Sequence, residues 1–530
     1  MSHASILIYK PKSYQIAPEL SGSSSAKHSF VIVGAGPVGL TLALDMARKG
    51  HKVLLLTAFD FIASGSKGIC YSKQSLDILD RLGVGARVVD KGVVWNVGKV
   101  FWGAQKEPIY QFDMLPLKDQ KNPGFINIQQ YYLEDYLVDA LETMDNVEIR
   151  WGHTVSDIDV GNDSAILSVV TRDGNYKLEA EYVLACDGAN STIRNSMKLD
   201  YDGRIFEDNF LIADVKFKHE FTSERWFWFD PPFNPGRTAL LHKQPDDIWR
   251  IDFQLGWDID REEAVKSENV APYVKGLLGD DVEYEDDWLS VYTFQCRRMD
   301  RFLHTPVIFV GDSAHLVSPF GARGANAGLV DAENIAWKLD MVLCGKADKS
   351  ILESYNYERV MGSDENILNS TRSTDFLTPK SKISTAFRDA VLELANTYEF
   401  ARPFVNSGRL SMPTPYHNSP LSTPDKDVFE RGPKPGHACI DAPLTIGRNV
   451  KWLLEHLGNE FILLHFGDAA PKTKLKTLTV PAICLAAERY AAGPGTSYLI
   501  RPDQVVAARW KQASAEDIDA AYQTAIGGRA

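Results

Sequence analysis

The sequence predicts an α/β fold in which a βαβ unit carries an inserted, mostly antiparallel β segment and is followed by a separate C-terminal unit. Three observations carry this reading. Residues 28–57, HSFVIVGAGPVGLTLALDMARKGHKVLLLT, pass from an apolar strand through a glycine turn into a helix and back to a strand. Residues 205–299 change to alternating, aromatic-rich segments such as RWFWF, ALLHK and WRIDFQL, the pattern of an antiparallel sheet with one solvated or ligand-facing side. Helical periodicity then returns in LVDAENIAWKLDMVL, directly after VIFVGDSAH and its loop.

Taken in order, residues 1–27 lack clear periodicity and read as a tail or an added edge segment. Residues 28–204 form the first part of the βαβ-containing domain, with a helix that sets Leu40, Leu44 and Ala47 on one face. Helical patterns follow in SKQSLDILDRLG, which ends at Gly83, and in QQYYLEDYLVDALETM. The β domain spans 205–299, and 300–404 return to the first domain. From 405 to 530 a proline-rich linker, SMPTPYHNSPLSTPDKD, precedes a unit with strands near FILLHF, LTVPAICL and SYLIRP.

At 530 residues the chain has room for about three or four domains. Its 44% hydrophobic and 24% charged residues are those of an ordinary globular protein. A net charge of -13, with no basic run of five or more, argues against nucleic acid and for small-molecule partners. No apolar run reaches the roughly 18 residues a membrane span requires, and no signal-peptide core is seen, so a cytoplasmic protein is expected. The six cysteines show neither a CxxC pair nor metal-ligand spacing, so reduced thiols and no metal are expected.

Gly34, Gly36 and Gly39 form GxGxxG between a strand and a helix that Pro37 opens. The first glycine permits the tight turn, the second lets backbone approach a pyrophosphate, and the third lets helix and strand pack closely. The helix N-terminus adds amide donors and partial positive charge. The acid expected after the second strand to bond a ribose is replaced by Thr57; its hydroxyl or Asp60 is left to substitute. A second glycine-rich loop, GDSAHLVSPFGARGANAG, spans residues 311–328 without repeating the motif.

Three motifs thus follow in order: GAGPVG at 34–39, ACDGANSTIR at 185–194 and FVGDSAHLVSPFGARGAN at 309–326. Together they resemble the single-component FAD-dependent aromatic hydroxylases, the class A flavoprotein monooxygenases. GSKGICYSKQSLDILDRLG, WFWFDPP and SPFGARGAN are most similar to the branch containing 3-(3-hydroxyphenyl)propionate hydroxylase and phenol hydroxylase. The resemblance implies a Rossmann-like FAD-binding domain with an inserted substrate domain of the para-hydroxybenzoate hydroxylase type. It also implies a thioredoxin-like C-terminal domain, on GPKPGHACIDAPL and YLIRPD, without a redox-active CxxC.

Residue by residue, the resemblance implies that Asp187 and Gly188 touch the FAD pyrophosphate side and the groove where the nicotinamide docks, with Arg194 supporting them. Asp312 would accept from the ribityl hydroxyls, and Gly311 would allow the close approach. Pro319 and the backbone of Gly321, Gly324, Ala325 and Asn326 would lie along the flavin ring, with a helix starting near Asn326 aimed at it. Lys67 stands where relatives usually have Arg, and Arg323 where they often have Gln. Gln130 matches a glutamine that contacts FAD, with Gln129 an adjacent rival. Both glycine loops would then hold opposite ends of one FAD.

The implied reaction uses NADH or NADPH and O2 to hydroxylate a small phenolic or related aromatic substrate through a flavin hydroperoxide. A phenol must lose or share its proton, so an acceptor is expected near the ring hydroxyl. His242, Tyr292 and Arg250 in the inserted segment are the candidates, each weighed against a solvent-facing or already satisfied strand residue. Arg250 or Arg237 would alternatively pair with a substrate carboxylate. His315 reads as a buried, hydrogen-bonded core residue, and Trp226, Trp228, Trp249 and Trp337 as packing residues. A flavin-dependent halogenase, suggested by WFWFDP with Asp230 breaking its signature, and an FAD-binding regulatory protein without turnover are the rival functions. The assembly is left open, a homodimer included.

Overall fold

The computed structural model describes residues 12–21, 27–62, 67–115, 117–217, 223–405, 412–446 and 449–528. The predicted βαβ unit is built as Val31 to Val33 pairing in parallel with Leu54 to Leu56, around the helix Pro37–Arg48. His28–Val33 and Val53–Thr57 sit inside a sheet ordered Leu303–His304, Val307–Phe309, Gly174–Ala185, His28–Val33, Val53–Thr57 and Val147–Trp151. From Val307–Phe309 to Val147–Trp151 the neighbours are parallel. Both faces are covered, which is why these strands read as continuous apolar runs rather than as alternating ones. The helix is likewise buried all round, from Gly39 to Ala47, instead of along the single Leu40, Leu44, Ala47 stripe.

The second large sheet runs His315–Leu316, Glu285–Arg298, Asp202–Lys216, Ile248–Gly256, Thr238–Lys243, Arg225–Phe229, Val97–Trp102 and Tyr110–Asp113. Its centre comes from the inserted segment, but three of its strands come from elsewhere in the chain. Val97–Trp102 joins parallel to Arg225–Phe229, Gly98 opposite Arg225. Alternation along the strands separates two faces. Phe210, Ile212, Leu240 and Phe294 pack with Phe320, Leu377 and Leu392 toward the first domain, whereas Leu211, Ala213, Leu241, Ile251 and Phe253 pack outward under Val270 and Val274. A one-residue slip would exchange the faces, so the apolar residues on both sides fix the register.

The N-terminal residues that are described pack rather than trail. Tyr14 stacks on His153 with centroids 5.1 Å apart, and Glu19 pairs with Arg150 at 3.0 Å. The proline-rich stretch is also anchored where it is described: Tyr416 and Leu421 are buried, and Ser419 donates to Glu358 at 2.6 Å.

The C-terminal unit contains a sheet ordered Lys476–Val480, Ile462–Phe466, Ser497–Ile500 and Val506–Trp510. It docks on the helices Gly324–Leu343 and Glu353–Leu377 through a buried charged cluster. Arg501 donates to both Glu358 oxygens at 2.6 and 2.9 Å, Lys338 reaches Glu358 at 2.8 Å, and Trp337 Nε1 donates to Asp503 at 3.1 Å.

Candidate functional site

The two glycine segments meet. Val38, inside the first motif, lies so close to the second loop that a Cβ on Gly311 would come within 3.0 Å of its side chain and one on Gly328 within 2.5 Å. Gly34 takes φ +108°, and a Cβ there would strike the Cys186 carbonyl at 2.3 Å. The three sequence motifs therefore share one strand-end crevice, at the carboxyl ends of parallel strands where α/β sheets bind ligands.

Within this crevice two glycines are unobstructed and one carboxylate oxygen is unpaired. Gly36 and Gly188 have nothing within 4 Å of where a Cβ would stand. Gly36 caps the helix Pro37–Arg48 without any side-chain bond, leaving its N-terminal end to an anion. Asp187 accepts from Ile193 N at 3.2 Å through Oδ2, while its buried Oδ1 has no partner. Burial raises the Asp187 carboxyl above its ordinary pKa, against the pull of its hydrogen bonds. Asp312 is exposed, yet surrounding protein raises its carboxyl too. That combination belongs to a side chain opening into a recess rather than onto the outer surface. An unpaired carboxylate oxygen, open glycines and an uncapped helix start are what a hydroxyl-rich, pyrophosphate-bearing cofactor such as FAD can use.

Arg194 ties the segments together. It donates to Ala189 O at 2.8 Å, to Ser313 O at 3.1 Å and to the Tyr201 hydroxyl at 2.5 Å, and Tyr201 in turn donates to Asp312 O. Gly311 is held from below: its amide donates to Asp331 Oδ2 at 3.1 Å, which also receives His315 Nε2 at 2.6 Å. His315 is thus buried and paired. Arg359 Nε completes the group at 2.5 Å from Asp331 Oδ1.

The loop after Pro319 turns through Gly321 at φ +134° and Ala322 at φ +50°, and the helix starts at Gly324, two residues before the expected Asn326. The Asn326 side chain is consumed: it accepts from Ser72 N at 2.8 Å and Ser75 Oγ at 2.6 Å and donates to Cys70 O at 2.9 Å. Only its backbone is left to line a cofactor. Arg323 does not face solvent; it is buried and donates to Asn366 at 2.8 Å. Gln130 accepts from Gly68 N at 3.1 Å, and a Cβ on Gly68 would touch Ala325 at 3.8 Å, so the Lys67–Gly68 segment abuts the loop. The Lys67 side chain is exposed, and its carbonyl accepts from Arg250 at 3.2 Å. Thr57 is buried, its hydroxyl accepting from Phe59 N at 3.4 Å, while Asp60 is exposed.

His242, Tyr292 and Arg250 all lie on the sheet face turned toward this loop, where Phe320 meets Phe210 and Phe294 edge-on with centroids 4.8 and 5.0 Å away. Arg250 is engaged by Asp214 through two bonds of 2.8 Å. This bidentate pairing corrects its reading as a substrate-carboxylate ligand, because its fork is already filled. Arg237 lies beside Gly256 at the strand end, away from that row. His242 is buried, with Nε2 3.3 Å from Asp252 Oδ2 but off hydrogen-bond alignment. Loss of water and the nearby Arg225 charge lower its pKa to about 4, so the imidazole is neutral at neutral pH. Tyr292 is half-buried, and burial raises its phenol.

The sequence reading missed Tyr201, Asp331, Asp252 and Arg225. Asp252 and Arg225 carried a signal, since each alternates in phase with inward residues of its own strand, but only strand register brings them beside His242. Asp230, which broke the halogenase signature, takes φ +52° and accepts from Gly236 N at 2.5 Å, the geometry of a turn.

Comparison with known proteins shows the family of the chain. The sequence profile of the FAD binding domain family matches residues 27–368. A 12-dehydrotetracycline 5-monooxygenase/anhydrotetracycline 6-monooxygenase of Streptomyces rimosus is 26% identical over 501 residues, 90% of this chain and 94% of the relative. A 3-(3-hydroxy-phenyl)propionate/3-hydroxycinnamic acid hydroxylase of Comamonas testosteroni is 26% identical over 385 residues, 72% of this chain and 64% of the relative. Among solved structures, p-nitrophenol 4-monooxygenase PnpA from Pseudomonas putida is 25% identical with a TM-score of 0.66, covering 73% of this chain and 99% of that one. The flavin-dependent monooxygenase PieE, solved with FAD and substrate, shares the fold at 18% identity and a TM-score of 0.80, over 96% of this chain and all of that one, 100%.

Proposed function

Because this chain belongs to the FAD binding domain family, we propose that it is an NADH- or NADPH-dependent FAD monooxygenase that hydroxylates a phenolic or related aromatic ring. The observation that carries the reading is the contact of Val38 with Gly311 and Gly328, which makes the two glycine segments one site. FAD, when bound, supplies the redox chemistry that activates oxygen. The chain's residues bind it, orient the substrate and keep water out.

In this reading Gly34, Gly36, Pro37 and Gly39 hold the pyrophosphate end, with Thr57 near the adenosine ribose. Asp187, Gly188, Arg194, Gly311 and Asp312 hold the middle of the cofactor. Lys67, Gln130, Pro319, Gly321, Gly324, Ala325 and Asn326 border the ring, through backbone wherever side chains are already engaged. His242 and Tyr292 face the substrate, and Arg250 positions its neighbours through Asp214. The aromatic face of the second sheet supplies the dry, apolar wall that hydroxylation needs.

We assign the domains as 28–204 with 300–404, 205–299 and 405–530, with the strands Val97–Trp102, Tyr110–Asp113 and His315–Leu316 lent to the sheet of the second, and with the last thioredoxin-like in architecture but structural in role. Supporting that role, burial pushes the Cys439 thiol up to about 12, far from the thiolate a redox cysteine uses. A cytoplasmic location and a homodimer fit the reading. The test is to purify the protein, measure its flavin absorbance, and screen hydroxylated aromatics for accelerated NAD(P)H loss coupled to a hydroxylated product. Colourless protein that cannot take up FAD would reject the reading.

A further inference from the structure

A row of polar residues crosses the second sheet on the face turned toward the glycine loop. Asp214, Arg250, His242 and Arg225 stand opposite one another on successive strands, with Gly98 beyond Arg225. At one end the charges are satisfied, since Asp214 accepts both arms of Arg250 and a bond of 3.1 Å from Gln244. The other end is not. Arg225 is 3% exposed and has no carboxylate within ion-pair distance among the described residues. Its Nη1 lies 4.0 Å from Cys70 Sγ, its Nε has no partner, and the rings of Trp95 and Phe227 flank it at 5.5 and 5.1 Å. A buried guanidinium without a counter-charge is costly to keep, a cost that an arriving anion would offset.

Beside it the next row contains one ionisable group. Leu240, Asp252 and Ile212 face one another across three strands, with Phe227 beside Leu240. Asp252 Oδ1 is buried without a partner, and so is His242 Nδ1. Nε2 is also without a hydrogen bond, 3.3 Å from Asp252 Oδ2; in the tautomer that carries its proton on Nε2, toward Asp252, the His242 lone pair is on Nδ1. The half-buried rings of Phe112, Phe227, Trp288 and Tyr292 border this polar group with apolar surface.

We propose that Arg225, His242 and Asp252 form one unit that takes the substrate's ring hydroxyl as its oxygen anion. This rests on the hydroxylase reading above and assigns Asp252 and Arg225, which that reading leaves idle. The phenol O–H bond breaks, its electron pair stays on oxygen, and the proton passes to His242 Nδ1. Asp252 is the positioning residue that fixes the imidazole and balances the imidazolium; Arg225 holds the oxygen anion. No oxidant or further reactant enters the step.

The charged and titratable groups around His242 are Arg225, Arg250, Asp214, Asp252 and Cys70. Asp214 pairs with Arg250, and Cys70 is a neutral thiol raised by burial that donates to Asn127 at 3.0 Å. Burial first, then the Arg225 charge, with a smaller push from Arg250, keep a proton off His242. An arriving oxygen anion cancels the Arg225 charge and gives the imidazolium a counter-charge, so the transfer is favoured only with substrate in place.

The test uses FAD-loaded full-length protein and 4-nitrophenol, whose anion absorbs differently from its neutral form. The expected result is that bound probe ionises at a pH about one unit lower than free probe, a tenfold shift. Arg225→Met should abolish the shift, Arg225→Lys should restore part of it, and Asp252→Asn should move the acid limb of kcat/KM. Unshifted ionisation in the wild-type complex overturns the proposal without needing any variant, and so does failure of 4-nitrophenol to perturb the flavin spectrum. In either case, aromatic-stimulated NAD(P)H loss with other phenols would leave the hydroxylase reading standing.

Discussion

Arg194 Nη1 donates to the carbonyl of Ser313 across 3.1 Å, joining segments 119 residues apart. The same guanidinium holds Ala189 beside Gly188 and the Tyr201 hydroxyl that reaches Asp312 O. Removing it strands several buried acceptors at once, and bonds to a charged donor contribute about 1.5–3 kcal/mol each. Arg194→Met is therefore expected to weaken FAD retention at least tenfold and to lower the melting temperature. Arg194→Lys should recover little, because a point charge cannot reach acceptors lying in three directions. Flavin fluorescence on release reads the first effect and calorimetry the second.

Asp331 sets a pH window. Burial opposes its ionisation, but Arg359 and His315 hold the carboxyl down at about 2. A folded pKa below the unfolded one contributes stability that is present above the unfolded value, near 3.9, and lost as pH falls through the folded value. Unfolding free energy should thus drop between about pH 4 and pH 2. Asp331→Asn should flatten that slope and cost about 3–5 kcal/mol at neutral pH, as for one partner removed from a buried ion pair. Urea titrations across this range check both, and an unchanged slope would assign the acid sensitivity to other carboxylates.

How much of this was legible beforehand follows from which interactions are local. Gly34, Gly36 and Gly39 announce their turn because they share one short motif between a strand and a helix, whereas Gly311, packed on the distant Val38, is placed only by the resemblance. The alternation in RWFWF and WRIDFQL reveals strands with two faces. What it cannot reveal is which residues meet: Arg225 faces His242 only because two strands pair in one register, and Gly98 arrives beside them from 127 residues away, by a parallel pairing with no local signature. For the same reason the sequence leaves open whether Arg250 is free or satisfied, and the fold shows it engaged, its partner Asp214 lying 36 residues earlier.

Asp312 separates binding from stability. Its carboxyl makes no side-chain bond among the described residues, and burial raises its pKa. A raised carboxyl pKa contributes stability only below the unfolded value and detracts as pH rises through the folded one. Asp312→Ala should leave the cofactor-free protein unchanged or slightly more stable at neutral pH while weakening FAD retention by about tenfold or more, the loss of one good bond to an ionised acceptor. Melting curves with and without FAD report the two signs separately. Equal destabilisation in both would make Asp312 a structural residue.

The last expectation concerns Arg501, which is fully buried and bridges Glu358 and Asp503. Glu358 also carries Lys338 and Ser419, so one carboxylate gathers the C-terminal unit, the proline-rich stretch and the helix Gly324–Leu343. Burial works against the Glu358 charge, and the Arg501 and Lys338 charges hold its carboxyl well below the ordinary range. Arg501→Met leaves Glu358 and Asp503 partly uncompensated, a change expected to cost about 3–5 kcal/mol. Trp337 donates to Asp503 at 3.1 Å, so its fluorescence should report the loosening directly. Because Arg359 follows Glu358 in sequence and holds Asp331 under Gly311, the same variant should also bind FAD less tightly. A variant that releases the C-terminal unit to limited proteolysis yet keeps wild-type FAD affinity would show that the coupling stops at Glu358.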